Sequence, residues 1–193
     1  MFSRREVASF AGTSLQAIDK AIEQGVVPRA RRRAETLISE DGLAVMLILG
    51  SANIELPVKV KQQVRRWVAK ERPFAQAGDP ALKLSETITV HVPAPLRERV
   101  AEAEAYATDR DRFIEHNPQI FGGQPIIRGT RIPVHTVAER LAAGDTIDIL
   151  AEDYPHVERR ALEVAERYAL THPRRGRPAK PWKSGRRRRT GRG

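Results

Sequence analysis

Apolar residues recur at helical spacing near the start of the chain, behind two sets of helix-start signals. Ser3–Glu6 reads as a capping box, in which a serine hydroxyl and a glutamate carboxylate satisfy the free amides of a first turn. Thr13–Gln16 predicts a second capping box after a break at Gly12, and Gly25 ends the second helix. The apolar positions behind these boxes are Val7, Phe10, Leu15, Ile18 and Ile22. Two short helices joined by a tight turn are typical of a helix-turn-helix.

The second helix of such a pair reads DNA. Its predicted outer face carries short or hydrogen-bonding side chains, which suit base edges and phosphates: Ser14, Gln16, Ala17 and Lys20. A basic run follows, consisting of Arg29, Arg31, Arg32 and Arg33. A short strand at 35–39, an apolar helix at 42–49 and a helix at 57–72 with six basic side chains come next.

This order resembles the winged-helix DNA-binding domain of the MerR group, which predicts a DNA-binding domain over residues 1–75. The alternative is an ordinary helical bundle whose basic residues form its solvated face.

The next segment predicts a dimer. Residues 76–83 read as a linker, because Gly78, Asp79 and Pro80 favour turns. Ser85–Val92 alternates as a half-buried strand with no evident neighbour in its module, so it needs a partner strand in this chain or in a second copy of it. Its predicted inner positions are Ile88, Val90 and Val92, and a helix from Pro95 follows with Leu96, Val100 and Ala103 on one side. Residues 84–111 are interpreted as a strand–helix connector that can serve dimerisation.

Turn residues mark the segment 112–172. The most specific features are Gly122, Gly123, Pro125, the block Gly129-Thr130-Arg131-Ile132-Pro133-Val134, Gly144, Tyr154 and Pro155. The segment closely resembles a prokaryotic domain of formerly unknown function that is found in antitoxins of VapB type. The resemblance implies a homeodomain-like three-helix fold preceded by a small β-hairpin. It also implies a PIN-like ribonuclease toxin as the partner.

Local signals predict the same elements. Gly122-Gly123 tolerates the positive φ of a turn, and Pro133 lies where a first helix would begin. Thr146 can cap a second helix that Tyr154-Pro155 ends, and Glu158, a poor cap, predicts a late start for the third. The predicted buried positions are Val137, Leu141, Ile147, Ile149, Leu150, Ala161, Val164, Ala165 and Tyr168.

Two interpretations of the threonine–arginine pair remain open. Arg128 and Arg131 could grip a phosphate or a partner's carboxylates. Alternatively, Thr130 and Arg131 tie the hairpin to the first helix through backbone carbonyls, which we favour because such motifs more often serve turns than ligands.

Charge divides unevenly along the chain. Residues 1–83 hold 14 basic and 9 acidic side chains, residues 84–172 hold 10 and 15, and residues 173–193 hold ten basic side chains and no acid. This last segment is predicted to be disordered by itself. Arg175-Gly176-Arg177-Pro178 matches the core of the minor-groove AT-hook, while the same arginines and Trp182 could instead anchor a toxin.

Other functional classes find little support. Asp145, Asp148, Glu152 and Asp153 lack the strand framework of a two-metal nuclease, and the five histidines are not at ligand spacing. The chain contains no cysteine and no apolar run of membrane length, which favours a cytoplasmic protein. We therefore expect a non-enzymatic protein without cofactor or metal.

The sequence thus predicts a mainly α-helical chain with small β elements. We expect a winged helix-turn-helix, a connector, a homeodomain-like three-helix module at 112–172 and a basic tail at 173–193. The predicted function is an antitoxin that binds operator DNA as a homodimer and neutralises a PIN-like ribonuclease. The alternative is a stand-alone DNA-binding regulator with an AT-hook-like tail.

Overall fold

The fold was analysed in a computed structural model that describes residues 1–32, 35–52, 54–76 and 78–174. This part of the chain is mainly helical, with eight α-helices and three small antiparallel sheets. None of its helices combines the length and the apolar content that crossing a bilayer requires. The predicted disordered segment lies almost wholly outside the described residues, because only its first two residues are included.

The first helices begin where local capping chemistry directs them. Helix α1 (Arg4–Ala11) has the predicted capping box, with Ser3 N donating to Glu6 Oε2 at 2.6 Å and Glu6 N donating to Ser3 Oγ at 3.2 Å. Helix α2 (Leu15–Glu23) is capped by Ser14, whose Oγ accepts from Ala17 N at 3.1 Å. The predicted cap at Thr13 is therefore wrong by one residue.

A three-stranded sheet lies beside these helices. Its strands are β1 (Phe2–Ser3), β2 (Arg29–Arg32) and β3 (Glu35–Ile38), in the order β1-β3-β2. Strand β2, which holds Arg29, Arg31 and Arg32 of the basic run, therefore pairs antiparallel with β3, with Arg29 opposite Ile38 and Arg32 opposite Glu35.

Helix α3 (Glu40–Ser51) forms the centre of the amino-terminal half. Its residues Gly42–Ile48 are all buried, because the run is apolar on every side and has no face suited to water. Helices α1, α4 (Val58–Glu71) and α5 (Ala94–Phe113) pack around it.

The predicted unpaired strand finds its partner within its own chain. Strand β5 (Thr89–His91) pairs with β4 (Ala81–Lys83), which lies in the predicted linker. Of the two partners expected for this strand, another strand of this chain or a second copy, the structure shows the first. Ile88 is exposed in the turn of this hairpin rather than buried, since Ser85 Oγ accepts hydrogen bonds from the amides of Thr87 and Ile88.

Helix α5 joins the two halves of the molecule. The predicted apolar side, Leu96, Val100 and Ala103, is buried together with Tyr106 and Ala107 against α3 and α8. The buried hydrophobic residues of both halves consequently form one continuous core. This face of the connector is used within the chain, and dimerisation through residues 84–111 stays a prediction.

The carboxyl-terminal half contains the expected hairpin and three helices. Strand β6 (Ile114–His116) pairs with β7 (Pro125–Ile127), and α6 (Val134–Ala142), α7 (Ile147–Asp153) and α8 (Arg159–Thr171) follow. Gly122 and Gly123 both have positive φ, as the turn prediction required. Thr146 caps α7 as predicted, since its Oγ1 accepts from Ile149 N. All four residues predicted to be buried in α8 are buried.

Two details of this half differ from the predictions. Ile149 is exposed rather than buried, because α7 is short and only Leu150 faces fully inward. Helix α8 begins immediately after Glu158, so the predicted late start is wrong. Glu158 makes no capping bond, and its carboxylate accepts from Arg112 instead, at 2.9 Å.

Candidate nucleic-acid interface

Helix α2 presents two of its predicted reading residues to solvent. Gln16 and Lys20 are exposed, while Ile18 and Ala21 on the opposite side are buried in the core. Ser14 is also exposed, but its hydroxyl oxygen is engaged in capping, and Ala17 is half-buried. Leu15, predicted to be buried, is exposed at the first position of the helix. The polar outer face of α2 therefore consists mainly of Gln16 and Lys20.

Side chains from other helices hold α2 in place. Arg4 of α1 forms an ion pair with Asp19. At the opposite end, Gln62 Nε2 and Arg65 Nη1 of α4 donate to the carbonyls of Gln24 and Gly25, each at 2.8 Å. A cation at the carbonyl end of a helix also complements the helix dipole. Arg65 is one of the six basic side chains of the helix predicted at 57–72, and no local pattern shows that it reaches across 40 positions to α2.

Further basic residues lie on strand β2 and helix α4. Strand β2 carries Arg29, Arg31 and Arg32, whereas Arg33 lies outside the described residues. Lys59 and Arg66 of α4 are exposed and have no ionic partner among the residues that the structure describes. The first half thus contains both an exposed polar helix face and exposed cations on α4. The predicted tail residues Arg175, Arg177 and Trp182 lie outside the described residues.

Thr130 has a structural role in the turn between β7 and α6. Thr130 Oγ1 donates to Ile127 O at 2.8 Å and accepts from Ile132 N at 3.0 Å, which closes the turn between β7 and α6. The favoured interpretation is confirmed for Thr130 and is wrong for Arg131, which is exposed and has no polar partner within the described ranges.

Arg128, rather than Arg131, links the β6–β7 hairpin to a helix, which is α5. Its guanidinium donates to the carbonyls of Arg112 at 2.7 Å, Asp111 at 3.1 Å and Ile114 at 3.3 Å. These groups lie at the carboxyl end of α5, where the last carbonyls lack partners within the helix. Arg128 thus fastens the hairpin to α5, so the idea that it grips a phosphate or a partner carboxylate finds no support in these contacts.

Replacing Arg128 by Met is expected to lower the free energy of unfolding by about 1–3 kcal/mol, since charged hydrogen bonds to otherwise unpaired carbonyls are lost. Arg131→Met provides a matched control that removes the same charge three residues away, and its effect should stay within about 0.5 kcal/mol. Urea denaturation of both variants measures the difference. Equal losses in the two variants would contradict the assignment.

The remaining motif residues lie at turns and helix ends. Pro125 begins β7, Pro133 precedes α6 and bridges to Ile126, and Tyr154 ends α7 and accepts from Val157 N at 2.8 Å. The acidic residues of this half are mostly bound by arginines. Arg140 contacts Asp145 and Asp153, each at 2.6 Å, and the hydrogen bonds that it donates to these carboxylates, to Asp153 first, raise its pKa above the ordinary value.

Asp148 is paired in the same way, with Arg159. Over the ranges described above, no three His, Asp or Glu side chains are grouped so as to hold a metal ion.

Comparisons with known proteins cover both halves. The chain is 25% identical over 195 residues to the uncharacterized protein y4eO of Sinorhizobium fredii. The alignment covers 92% of this chain and 84% of that protein. The crystal structure of Rv2018 from Mycobacterium tuberculosis aligns over 85% of this chain and 95% of its own, at 14% identity and a TM-score of 0.40. Residues 114–169, which form the hairpin and the three helices behind it, match the model of a family described as "Protein of unknown function (DUF433)".

Proposed function

We propose that the protein is an antitoxin-type regulator, which binds operator DNA through residues 1–75 and neutralises a PIN-like ribonuclease through its carboxyl-terminal half and tail. The observation that carries the DNA-binding part is the outer face of α2. Gln16 and Lys20 are exposed there on a helix that is fixed at its carbonyl end by α4. A fixed helix with hydrogen-bonding side chains on its free face is suited to the major groove.

The hairpin formed by β2 and β3 supports a winged arrangement. It follows α2 directly and brings an arginine-rich strand into the same sheet as the amino terminus of α1. Arginines on such a hairpin would contact phosphates beside the groove that α2 enters. The charge of residues 1–83, with 14 basic and 9 acidic side chains, favours the approach of a polyanion.

The carboxyl-terminal half is less suited to DNA. Residues 84–172 hold 15 acids and 10 basic residues. Most of its arginines are engaged in ion pairs with carboxylates of the same half: Arg112, Arg128, Arg140, Arg159, Arg160 and Arg167. Few cations are left there for phosphates, so we assign this half to contact with protein. The basic tail that follows α8 then supplies arginines for the carboxylates of a nuclease active site.

Replacing Gln16 and Lys20 together by Ala is expected to weaken binding to the operator about 10- to 100-fold. Each lost base or phosphate contact removes about 1–3 kcal/mol. A gel shift with the DNA upstream of the protein's own gene measures this loss. The same variant should inhibit the ribonuclease encoded by the adjacent reading frame as well as the parent does, because α2 is assigned to DNA alone.

The control is the variant Lys83→Ala/Gln124→Ala, which removes the same two chemical groups from exposed positions outside α2. It should bind the operator normally. Unchanged affinity in the α2 variant would remove this helix from the reading role. Loss of nuclease inhibition in that variant would instead contradict the division of labour between the two halves.

A further inference from the structure

Helix α4 carries an uneven charge. Its residues Val58–Glu71 include five basic side chains and a single acid, Glu71. The first turn holds Lys59 and no acidic residue, although a cation near the amino end of a helix opposes the helix dipole. Arg66 and Lys70 repel each other one turn apart, since like charges four residues apart destabilise a helix. The helix by itself would be more stable with fewer of these cations, so their presence indicates a role in binding.

Three of the cations lie along one side of α4. An α-helix turns about 100° per residue, so Lys59, Arg66 and Lys70 project within about 40° of one another. All three side chains are exposed, and they are called the α4 basic row below. Among the residues that the structure describes, no carboxylate pairs with Lys59 or Arg66. The arginines of the carboxyl-terminal half, which mostly have such partners, differ in this respect.

The α4 basic row adjoins the contact between α4 and α2. Gln62 Nε2 donates to Gln24 O at 2.8 Å, so the Gln62 side of α4 faces the carboxyl end of α2. Lys59 and Arg66 project about 60° and 40° from Gln62, in the same sense of rotation. Arg66 is one turn beyond Gln62, about 6 Å along α4, and Lys20 is one turn before Gln24 on α2. The row therefore runs beside the end of the helix that is assigned to reading DNA.

Acidic residues do not cancel the charge of this surface. The exposed charged side chains of α2 and α4 are four cations and two acids. The acids are Glu23, the last residue of α2, and Glu71, which pairs with Lys70 at 3.1 Å. Lys20 and the three residues of the row outnumber them, which leaves two net positive charges.

The composition of the row favours phosphates over a protein surface. Helix α4 exposes no aromatic side chain, and Val58, at 37%, is its only large apolar residue that is exposed. Val58 projects about 80° or more from the row. The centres of protein interfaces are enriched in aromatic residues and depleted in lysine. Unpaired cations suit a polyanion instead, because each phosphate that they neutralise releases a condensed counterion.

We infer that the α4 basic row contacts the phosphates of duplex DNA that flank the site read by α2. Lys59 and Arg66 are seven residues apart, about 10.5 Å along the helix, and one DNA strand carries a charge about every 3.4 Å of its axis. The two side chains can therefore reach separate phosphates of one strand. The inference rests on the proposed function and deepens it, because it assigns a surface that supplies affinity without reading bases.

Replacing Lys59 and Arg66 together by Gln tests this assignment. Loss of two phosphate contacts should make the logarithmic salt dependence of binding shallower by about 1.8, since each contact contributes about 0.9. The DNA upstream of the protein's own gene and a scrambled duplex of equal length should lose affinity by the same factor, because phosphate contacts carry no sequence information. Fluorescence anisotropy titrations at several salt concentrations measure both effects. The thermal midpoint should not fall, since the helix is not stabilised by these cations.

The control is Lys83→Gln/Arg131→Gln, which removes the same two charges from exposed positions outside α2 and α4. An equal change of slope in both variants would overturn the inference, because it would reflect net charge alone. An unchanged slope in the α4 variant would overturn it as well, and a simultaneous loss of nuclease inhibition would assign the row to an acidic protein surface.

Failure of the proposed function gives a different result. A parent protein that binds the upstream and scrambled duplexes equally well would contradict operator reading, while the salt slope on the scrambled duplex would still decide the assignment of the row. A parent that binds neither duplex would overturn both.

Tethered cleavage tests the position of the row independently, since the natural chain has no cysteine. Arg66→Cys and Arg131→Cys variants are each labelled with an iron–EDTA reagent, bound to the upstream duplex and supplied with ascorbate and peroxide. Hydroxyl radicals formed at the iron cleave nearby sugars. Position 66 is expected to cleave the DNA at an edge of the protected site, and position 131 should give much less cleavage. Equal cleavage from the two positions would overturn the inferred contact.

Discussion

Replacing Arg110 by Met is expected to lower the free energy of unfolding by about 3–5 kcal/mol, among the largest effects for a single substitution in this chain. The Arg110 guanidinium donates to both carboxylate oxygens of Glu6, at 2.9 and 3.0 Å, and to the carbonyl of Met1 at 3.1 Å. The Glu6 side chain is 1% exposed and that of Arg110 is 14% exposed. Removing Arg110 leaves a buried carboxylate without its counter-ion.

The protonation state of the pair supports this expectation. Burial lowers the pKa of Arg110, but the charges of the Glu6 and Asp111 carboxylates and the hydrogen bonds donated to them together outweigh burial, so that the pKa lies above its ordinary value. Arg110 therefore stays charged at neutral pH, and its contribution does not depend on its own titration. The ion pair joins α1 to α5, so its loss should weaken the contact between the two halves of the chain.

Urea denaturation measures the effect, and Arg112→Met is the matched control. Arg112 forms an ion pair of similar length with Glu158, at 2.9 Å, but both side chains are at least 60% exposed. Exposed pairs contribute at most about 1 kcal/mol, so the control should stay close to the parent. Adding Glu6→Gln to Arg110→Met should recover part of the loss by removing the buried charge. A loss below about 1 kcal/mol for Arg110→Met would mean that the pair is not buried in solution.

Truncation after Arg174 is expected to abolish neutralisation of the ribonuclease while leaving operator binding through the first half intact. Removing residues 175–193 takes away nine basic side chains and Trp182. The cut belongs after Arg174, because Arg174 pairs with Glu139 at 3.1 Å and His172 stacks on Tyr168 at 4.0 Å. A cut after Thr171 would also disturb the end of α8.

Two measurements separate the possible functions of the tail. Protection of RNA from the nuclease tests contact with the toxin, and Arg175→Ala/Arg177→Ala should reproduce part of the loss. The dependence of operator affinity on salt tests contact with DNA, because each phosphate contact contributes about 0.9 to the logarithmic slope. A flatter slope with full neutralisation would assign the tail to DNA. Full neutralisation with an unchanged slope would show that the tail has neither function.

The sequence by itself determined the elements whose signals are local. The starts of α1, α3 and α7 depend on serine or threonine side chains that bond to amides three residues later, and the order of residues contains that information. The buried face of α8 follows from helical periodicity in the same way. The N-cap of α2 was nevertheless predicted one residue too early, at Thr13 instead of Ser14, because the two side chains have nearly the same capping chemistry.

Only the tertiary structure decided which distant groups meet. The sequence of strand β4 alternates too little to predict a strand, and only its pairing with β5 in the structure identifies it as one. Arg65 likewise bonds to the end of α2 from 40 positions away. The Glu6–Arg110 pair spans 104 positions. In the glycine–threonine–arginine motif, the sequence indicated a structural role, but only packing showed that Arg128 rather than Arg131 reaches the end of α5. The direction of a long side chain depends on which carbonyls and carboxylates the folded chain leaves unpaired, and no local pattern encodes their positions.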